Sequence, residues 1–217
     1  MPTSGLSSPD TLCAARGSLS VWLDREESWQ MAYKMKIPES WVKISPNTAK
    51  IGYLLNLDSA VGDNCVNRID DVMLVQYILM TTFADPKITP VRLSGPGQVH
   101  DFFDFVDASF AELGNLGSQI ADEYRHLATT FFDNQAPIPT GKCDSVTVTW
   151  IRMFQMRNLR RYVSAIDGRV DPINPNQGPY AKSTMIRLNV ALPVWRTDIA
   201  KSDAPGALKN ALRDFRQ

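Results

Sequence analysis

The sequence predicts a mainly α-helical fold, with a long helical stretch over residues 101–133 and an irregular, partly β N-terminal extension. Three observations support this prediction. Apolar residues recur at helical spacing in residues 72–79 and again over residues 101–133. A further segment, residues 144–155, opens with residue types that start helices. Residues 1–60 contain only short apolar stretches between proline turns.

The composition is that of a folded globular protein without a strong electrostatic field. Of the 217 residues, 44% are apolar and five are tryptophan, which is enough to build a core. Lys and Arg together number 23, as do Asp and Glu, so no net charge is present to concentrate nucleic acid. We therefore expect no nucleic-acid partner.

The chain is also expected to lack segments for export and for membrane insertion. Residues 1–17 lack the apolar run of a signal peptide, and the longest apolar run, residues 72–83, is too short to span a bilayer. Cys13, Cys65 and Cys143 cannot all pair within the chain and have no Cys-x-x-Cys spacing. We expect free thiols, synthesis in the cytoplasm without a signal peptide, and no membrane insertion.

The N-terminal extension, residues 1–60, is predicted to be irregular and partly β. Two stretches, residues 18–23 and 51–57, have the apolar pattern of short strands. Between them, Pro38 and Pro46 mark turns, because proline fixes φ and lacks a backbone donor.

The first core helix is predicted to start at Asp70 or Asp71 and to end near Pro86. A short carboxylate at a helix start accepts backbone N–H bonds that have no partner within the helix, and it favours the positive end of the helix dipole. Proline biases the residue before it away from helical backbone. One face of this helix consists of Val72, Val75, Ile78 and Leu79, so we expect it to be largely buried.

Residues 101–133 carry apolar side chains at sustained spacings of three and four, which predicts one long helix or two. Gly114 and Gly117 interrupt this segment. Each glycine weakens a helix interior by about 1 kcal/mol relative to alanine, so we expect a break or close packing there.

Three further helices are predicted towards the C-terminus. Residues 144–155 form one, although the β-branched run 147–149 would equally suit a strand. Residues 181–189 form a short helix. Residues 206–215 form an amphipathic helix with Leu208, Leu212 and Phe215 on its apolar face. No internal repeat of fixed period is found, only two helices with a glutamine near the end of the apolar face.

Three ordered blocks, covering about a third of the chain, resemble the peptidoglycan-binding-like domain family. Residues 61–79 match the family's glycine-rich lead and its Asp-Val-x-x-Val-Gln-x-Leu-Leu helix. Residues 141–155 have the family's order of a glycine-containing turn, a threonine and Phe-Gln. The third block, residues 167–189, begins Asp-Gly-Arg-Val-Asp-Pro and looks like the family's final turn and helix. The resemblance implies a small three-helix core, here split by a long helical insertion.

Two departures from the family's pattern concern the second block. Asp144 and Ser145 stand where the family usually has Gly-Pro, and about sixty residues precede the block where the family needs a brief connection. We therefore divide the chain into an extension over residues 1–60, a peptidoglycan-binding-like domain over 61–190 with an insertion at about 85–140, and a C-terminal extension over 191–217.

The residues that mark this fold, and that are candidates for binding, lie in the matched blocks. Gln76 and Gln155 carry amides that can satisfy loop backbone groups, and Gly168 permits a turn that would strain other residues. Hydroxyl groups at Thr147 and Thr184 can brace helix starts. The full set is Asp71, Gln76, Thr147, Phe154, Gln155, Asp167, Gly168, Arg169, Asp171 and Thr184.

The histidines and a row of aspartates are the other residues that could form a catalytic or metal site. His100 and His126 have no metal-ligand spacing, so a zinc hydrolase is disfavoured and no metal is expected. Asp101, Asp104 and Asp107 share a helical spacing, but acids on an amphipathic helix usually form a solvated face. We predict no catalytic residue.

Two further features leave alternatives open. Cys143 has no histidine nearby in sequence to activate it as a nucleophile, although a partner distant in sequence would serve. The basic cluster Arg157, Arg160 and Arg161 suits a solvated helix end, favoured by the dipole, or an anion or partner site.

The resemblance implies a non-catalytic peptidoglycan-binding-like module without cofactor, acting in cell-wall targeting as part of a contractile injection apparatus, such as type VI secretion, or of a phage-tail-like one. The alternative is a structural adaptor of such a machine that binds only protein. The expected partners are other subunits of a large assembly and peptidoglycan. The chain would be assembled into such a particle or delivered by it. An adaptor requires an exposed apolar face, for which the predicted helices over 101–133 and 206–215 are the first candidates.

Overall fold

The computed structural model describes residues 32–38, 41, 52–83, 106–107, 110–131, 138–159, 162–178, 181–192, 204–212 and 215–216, with only the backbone of 129–131, 211 and 215–216. All of them lie in one compact unit, Met31–Gln217. The strand predicted over residues 18–23 lies outside the described residues.

The described chain is mainly α-helical. Its helices are α1 (Ile69–Phe83), α2 (Asn115–Phe131), α3 (Ser145–Asn158), α4 (Thr184–Ala191) and α5 (Gly206–Ala211). Two short 3-10 helices, Ala111–Leu113 and Pro175–Gln177, precede α2 and α4 respectively. No helix in the described ranges is long and apolar enough to cross a membrane.

Short strands build two small sheets. β1 (Tyr33–Lys36) lies in the middle of the first sheet, antiparallel to β2 (Tyr53–Asn56) and parallel to β5 (Phe215–Arg216). β3 (Val61–Gly62) pairs antiparallel with β4 (Arg169–Val170), Val61 opposite Val170 and Gly62 opposite Arg169. The strand predicted over residues 51–57 is therefore confirmed as β2.

Helix α1 is the centre of the molecule, as its continuous apolar sequence predicts. Leu74, Val75, Tyr77 and Ile78 are all fully buried, although they point in different directions around the helix axis. The predicted end before Pro86 agrees with the last helical residue, Phe83. The predicted start differs, because α1 begins at Ile69 and Asp71 lies inside its first turn.

Helix α2 belongs to the predicted insertion, and the break expected in that segment is confirmed. Gly114 is a turn residue with φ 59° between the first 3-10 helix and α2. Gly117 gives the expected close packing, since a Cβ there would lie 2.1 Å from the carbonyl oxygen of Phe110. Four side chains on one face of α2 are buried: Ile120, Ala121, Tyr124 and Ala128.

Helices α3 and α4 start with side-chain caps. Asp144 accepts a hydrogen bond from the Thr147 backbone N–H at 2.8 Å, so α3 is a helix and not the alternative strand. Ser183 accepts one from Ile186 N at 3.4 Å, and α4 therefore starts three residues after the predicted residue 181.

The amphipathic helix predicted over residues 206–215 is wrong in its second half. Helix α5 ends at Ala211, and Phe215 lies in β5, where its backbone pairs with β1. The predicted apolar face holds for Leu208 and Leu212, which are 0% and 1% exposed. The backbone of residues 215–216 forms hydrogen bonds with a neighbouring strand. Helical periodicity in the sequence does not reveal such a partner.

One hydrophobic core joins the sheets and helices. Buried side chains from β1, β2, all five α-helices and the segment after β4 belong to a single cluster. Residues before position 60 and after position 190, such as Leu55 and Leu208, contribute to it directly.

Candidate functional site

A glutamine on α1 holds the turn that precedes α3. The Gln76 side chain is 1% exposed. Its Oε1 accepts hydrogen bonds from the backbone N–H groups of Thr140 and Gly141, both at 3.0 Å. Its Nε2 donates to the Lys142 carbonyl and to Thr147 Oγ1, both at 2.9 Å. The amide thus replaces the backbone partners that a buried turn lacks.

A second glutamine, on α3, holds the turn that contains β4. Gln155 Oε1 accepts from Asp167 N at 3.1 Å and Gly168 N at 2.8 Å. Gln155 Nε2 donates to the Arg169 carbonyl at 2.8 Å and to Thr184 Oγ1 at 3.2 Å. It also donates to Asp167 Oδ1 at 2.7 Å.

The two glutamine turns have the same arrangement. In each, the amide oxygen accepts from two successive N–H groups, the second on a glycine, and the amide nitrogen donates to the next carbonyl and to a later threonine. Both glycines have positive φ, 76° at Gly141 and 70° at Gly168. The corresponding residues are Thr140 and Asp167, Gly141 and Gly168, Lys142 and Arg169, Thr147 and Thr184.

This duplication could not be found as a sequence repeat of fixed period. Six residues separate the turn glycine from the bracing threonine in the first copy and sixteen in the second, from the numbering of Gly141, Thr147, Gly168 and Thr184. The signal in the sequence is the glycine followed by a basic residue, Lys142 or Arg169, downstream of a buried glutamine. The first glycine is also packed tightly, since a Cβ on Gly141 would lie 2.6 Å from Ile69 Cγ2.

The buried Asp71 side chain holds the loop before α1 by hydrogen bonds and does not cap the helix itself. Its Oδ1 accepts from Asp58 N at 3.0 Å, and its Oδ2 accepts from Ser59 N at 2.9 Å and Ser59 Oγ at 2.8 Å. Burial raises the pKa of Asp71, and the hydrogen bonds from Ser59 and Asp58 oppose that rise. The helix-start role expected of Asp71 is therefore wrong, because its partners lie in a loop about a dozen positions away.

A polar pocket of about 330 Å³ opens beside the second glutamine turn. Its buried lining includes Gln155, Val163 and Thr184. The remaining lining residues are Ser164, Ala165, Asp167, Arg169, Asp171, Pro172, Asn174, Gln177, Lys182 and Ser183. The fold therefore brings together Gln155, Asp167, Arg169, Asp171 and Thr184 from the sequence-predicted set.

The pocket carries charges of both signs. Asp171 Oδ1 accepts from Arg169 Nε at 2.6 Å, and both side chains are about half exposed, at 59% and 48%. The Asp171 carboxylate raises the pKa of the Arg169 guanidinium, which stays charged. Asp167 Oδ1 accepts from Gln155 Nε2 and from Arg169 N. Lys182 is exposed and forms no hydrogen bond or ion pair with a described residue.

The other sequence-predicted residues have structural positions. Gln76 and Thr147 belong to the first glutamine turn, away from the pocket. Phe154 is 3% exposed in the hydrophobic core. The polar pocket residues that were not predicted from the sequence are Ser164, Asn174, Gln177, Lys182 and Ser183. The polar, proline-rich stretch 164–179 was the only signal for Ser164, Asn174 and Gln177, and Lys182 and Ser183 lie beyond it.

The residues weighed as catalytic or metal sites are dispersed. His126 is on the exposed face of α2, and Asp107 forms an ion pair with Arg125. Cys65 and Cys143 are free thiols, and burial raises the pKa of each. Among the described residues, no group of three His, Cys, Asp or Glu is placed to hold a metal ion. Outside the described residues lie Cys13, His100, Asp101, Asp104, Arg160 and Arg161.

The hydrogen-bond donors and acceptors around the pocket can bind a ligand that has several polar groups. The polar groups that line the pocket are amides, hydroxyls, two carboxylates and two cations, carried by α3, the segment after it and the start of α4. Comparisons with models of protein families, with curated proteins and with solved structures found no match to this chain.

Proposed function

We propose that this chain is a non-catalytic peptidoglycan-binding-like module that acts in cell-wall targeting as part of a contractile injection or phage-tail-like apparatus. The observation that carries the proposal is the polar pocket beside Gln155, whose lining includes Asp167, Arg169, Asp171 and Thr184 from the family-like blocks. These residues lie in the blocks whose sequence resembles the family, and they line one pocket. Separate structural roles for these residues would not require them to line the same pocket.

The split three-helix core is part of the same proposal. Helices α1, α3 and α4 are the three that carry the family-like blocks, and each packs in the common core. Two glutamine turns join them in sequence, Gln76 on α1 to Thr147 on α3 and Gln155 on α3 to Thr184 on α4. These two links from a glutamine to a threonine on the next helix support a three-helix module that is interrupted between α1 and α3 by the insertion that contains α2.

A binding role suits the pocket's carboxylates better than hydrolysis. Asp167 and Asp171 are both exposed, whereas the general acid of a glycosidase requires an apolar environment that keeps its proton. Asp171 is paired with Arg169, and Asp167 accepts hydrogen bonds from an amide and from the Arg169 backbone. Such groups orient and neutralise a ligand.

Retention on insoluble peptidoglycan sacculi at moderate salt tests this function. The wild-type protein should be enriched over a neutral control protein, and the variant Asp171→Asn/Lys182→Ala should be retained about tenfold less, because it removes two charged pocket groups. Lys142→Ala is the matched control, since Lys142 is an exposed lysine in the first glutamine turn, outside the pocket. Equal retention of wild-type and neutral control protein would overturn the proposal.

The second candidate is a structural adaptor of such a machine that binds only protein. Helix α2 gives it little support, since Leu116, at 39%, is its one exposed large apolar side chain among those described. The observation that favours it is a set of three exposed apolar side chains just before α1, at its start and just before the first glutamine turn: Val66, Ile69 and Ile138 are 71%, 66% and 58% exposed. Ile69 also packs against Gly141 of that turn.

Co-sedimentation with purified contractile particles separates the two candidates. An adaptor should sediment with the particles, and Val66→Ser/Ile138→Ser should abolish this without changing retention on sacculi. The variant Asp171→Asn/Lys182→Ala should have the opposite pattern if the pocket mediates wall binding. Loss of both activities in either variant, with an unchanged unfolding midpoint, would contradict the separation of the two surfaces.

A further inference from the structure

We infer that the pocket beside Gln155 recognises the peptide part of the wall polymer, through a group that carries both an ammonium and a carboxylate, and not a sugar ring. This inference rests on the proposed function and names the ligand class of its site. It is carried by three features of the pocket: its balanced charges, the carboxylate oxygens that accept no hydrogen bond from a described residue, and the helix start beside Lys182.

The charges of the pocket balance at two positive and two negative groups. Arg169 and Lys182 are the cations, and Asp167 and Asp171 are the anions. A neutral sugar has no charge that could pair with these groups. Removing them from water to bind it would therefore be unfavourable. A zwitterionic group neutralises both signs with charge-assisted hydrogen bonds, which are about twice as strong as neutral ones.

The carboxylates of Asp167 and Asp171 are the pocket groups that would bind the ammonium of the ligand. Asp167 and Asp171 each use Oδ1 for hydrogen bonds within the protein. For each of them, Oδ2 accepts no hydrogen bond from a described residue. A carboxylate has about four lone-pair positions, so both side chains keep acceptor capacity for a ligand amine.

The carboxylate of the ligand fits beside Lys182 at the start of α4. Lys182 is exposed and has no ion-pair partner among the described residues, and the next residue, Ser183, caps the eight-residue helix. Ser183 Oγ satisfies the N–H of Ile186, which leaves the N–H groups of Thr184 and Met185 without intrahelical acceptors. A lysine and a helix start together form an anion site, and Ser183 and Thr184 line the pocket.

The described lining also lacks the group that sugar recognition uses most. None of the thirteen described lining residues carries an aromatic ring on which a sugar face could stack. Polar side chains that fix direction are abundant instead, including Ser164, Asn174 and Gln177. The lining therefore suits a branched, charged peptide group.

Titration calorimetry of the full chain with three soluble probes tests this inference. The first probe is a short stem peptide with a free side-chain amine and a free C-terminal carboxylate. The second is the same peptide with the amine acetylated, and the third is an N-acetylglucosamine oligomer. We expect binding of the first probe, at least tenfold weaker binding of the second, and no measurable binding of the third.

The pocket variants identify where the peptide binds. Asp171→Asn and Lys182→Ala should each weaken binding of the free peptide about tenfold, while Lys142→Ala leaves it unchanged. Urea unfolding of each variant checks that the fold is retained, and all three positions are exposed. Equal affinities of the variants and the wild type for the peptide would overturn the assignment to this pocket.

The failures of the two proposals are distinguishable. Retention on sacculi together with binding of the sugar oligomer, and none of the peptide, would overturn this inference and leave wall binding intact. Binding of the peptide without retention on sacculi would support the ligand class of the pocket and overturn the wall-targeting function. Retention on sacculi that is lost when the stem peptides are removed by an amidase would support both.

Discussion

Two buried glutamine side chains show how single residues organise this molecule. Gln76 makes two hydrogen bonds through Oε1 and two through Nε2, all to groups of one turn and of the threonine that follows it. An amide is suited to this role because it offers donors and acceptors on one planar group. Gln155 repeats the pattern, so the glutamines act as connectors between helices whatever the pocket binds.

Gln76→Ala should therefore destabilise the protein strongly. It would leave the N–H of Gly141 and the carbonyl of Lys142 without their partner, and each unsatisfied buried group costs about 1 to 3 kcal/mol. We expect a loss on the order of 3 kcal/mol in urea unfolding. The matched control is Gln177→Ala, an exposed glutamine, which should change stability by less than about 0.5 kcal/mol. Similar losses in both variants would contradict the role of the amide.

Asp71 should make a pH-dependent contribution to stability. Burial raises its pKa above the ordinary value of 3.8, so the folded protein binds a proton at this carboxyl more readily than the unfolded chain does. Its contribution is then fully present below the unfolded pKa and is lost as the pH rises through the raised folded pKa.

The measurement is urea unfolding of the wild type and Asp71→Asn between about pH 3 and about pH 7. The stability of the wild type minus that of the variant should decrease as the pH rises. A difference that stays constant, or that increases with pH, would mean that the hydrogen bonds from Ser59 and Asp58 outweigh burial.

At the scale of elements, the two glutamine turns determine where the helices meet. Each turn needs a glycine with positive φ, and each leads to a helix start with its own side-chain cap, Asp144 for α3 and Ser183 for α4. The short β3–β4 pair closes the second turn against the loop before α1. The pocket lies where this turn, the loop after β4 and the start of α4 converge.

Replacing glycine in a turn should separate backbone strain from crowding. Gly141 and Gly178 have nearly the same φ, 76° and 77°, but a Cβ on Gly141 would lie 2.6 Å from Ile69 Cγ2, whereas a Cβ on Gly178 would meet nothing within 4 Å. Gly178→Ala should cost about 1 kcal/mol from strain alone. Gly141→Ala should cost a further 1 to 3 kcal/mol, roughly, from overpacking.

Urea unfolding of the two alanine variants and the wild type gives the comparison. Equal losses would show that the first turn can open to admit a methyl group. In that case the close contact between Ile69 and Gly141 does not restrain the turn.

At the scale of the whole molecule, the core crosses the boundaries suggested by the sequence blocks. Leu55 before the first block and Leu208 after the third belong to the same hydrophobic cluster as Leu74 and Ile151. The described unit should therefore unfold as one cooperative structure, because removing either flank exposes the side chains that it covers.

Leu208→Ala tests this integration of the C-terminal segment. Leu208 is 0% exposed, so truncation should cost about 2 to 5 kcal/mol and lower the midpoint of a single transition followed by circular dichroism. Lys209→Ala, at the next position of α5, is the control and should have little effect. A normal midpoint for Leu208→Ala, or a separate early transition, would show that α5 is not part of the cooperative unit.

The sequence alone determined the mainly helical class and most helix positions, because periodicity and caps are local properties. It predicted α1 to within three residues at either end, the break at Gly114 and the start of α3 at Asp144. It also selected Gln76 and Gln155 as groups that satisfy loops, because a polar amide at the end of an apolar face needs partners.

Only the tertiary structure decided which distant groups those local features meet. Phe215 continues a helical pattern in sequence, yet its backbone pairs with a strand near the N-terminus. Lys182 gave no signal, since a polar loop residue becomes a site residue only when the chain folds it against others. The pocket and the duplicated turns depend on contacts between residues far apart in sequence, which local propensity does not contain.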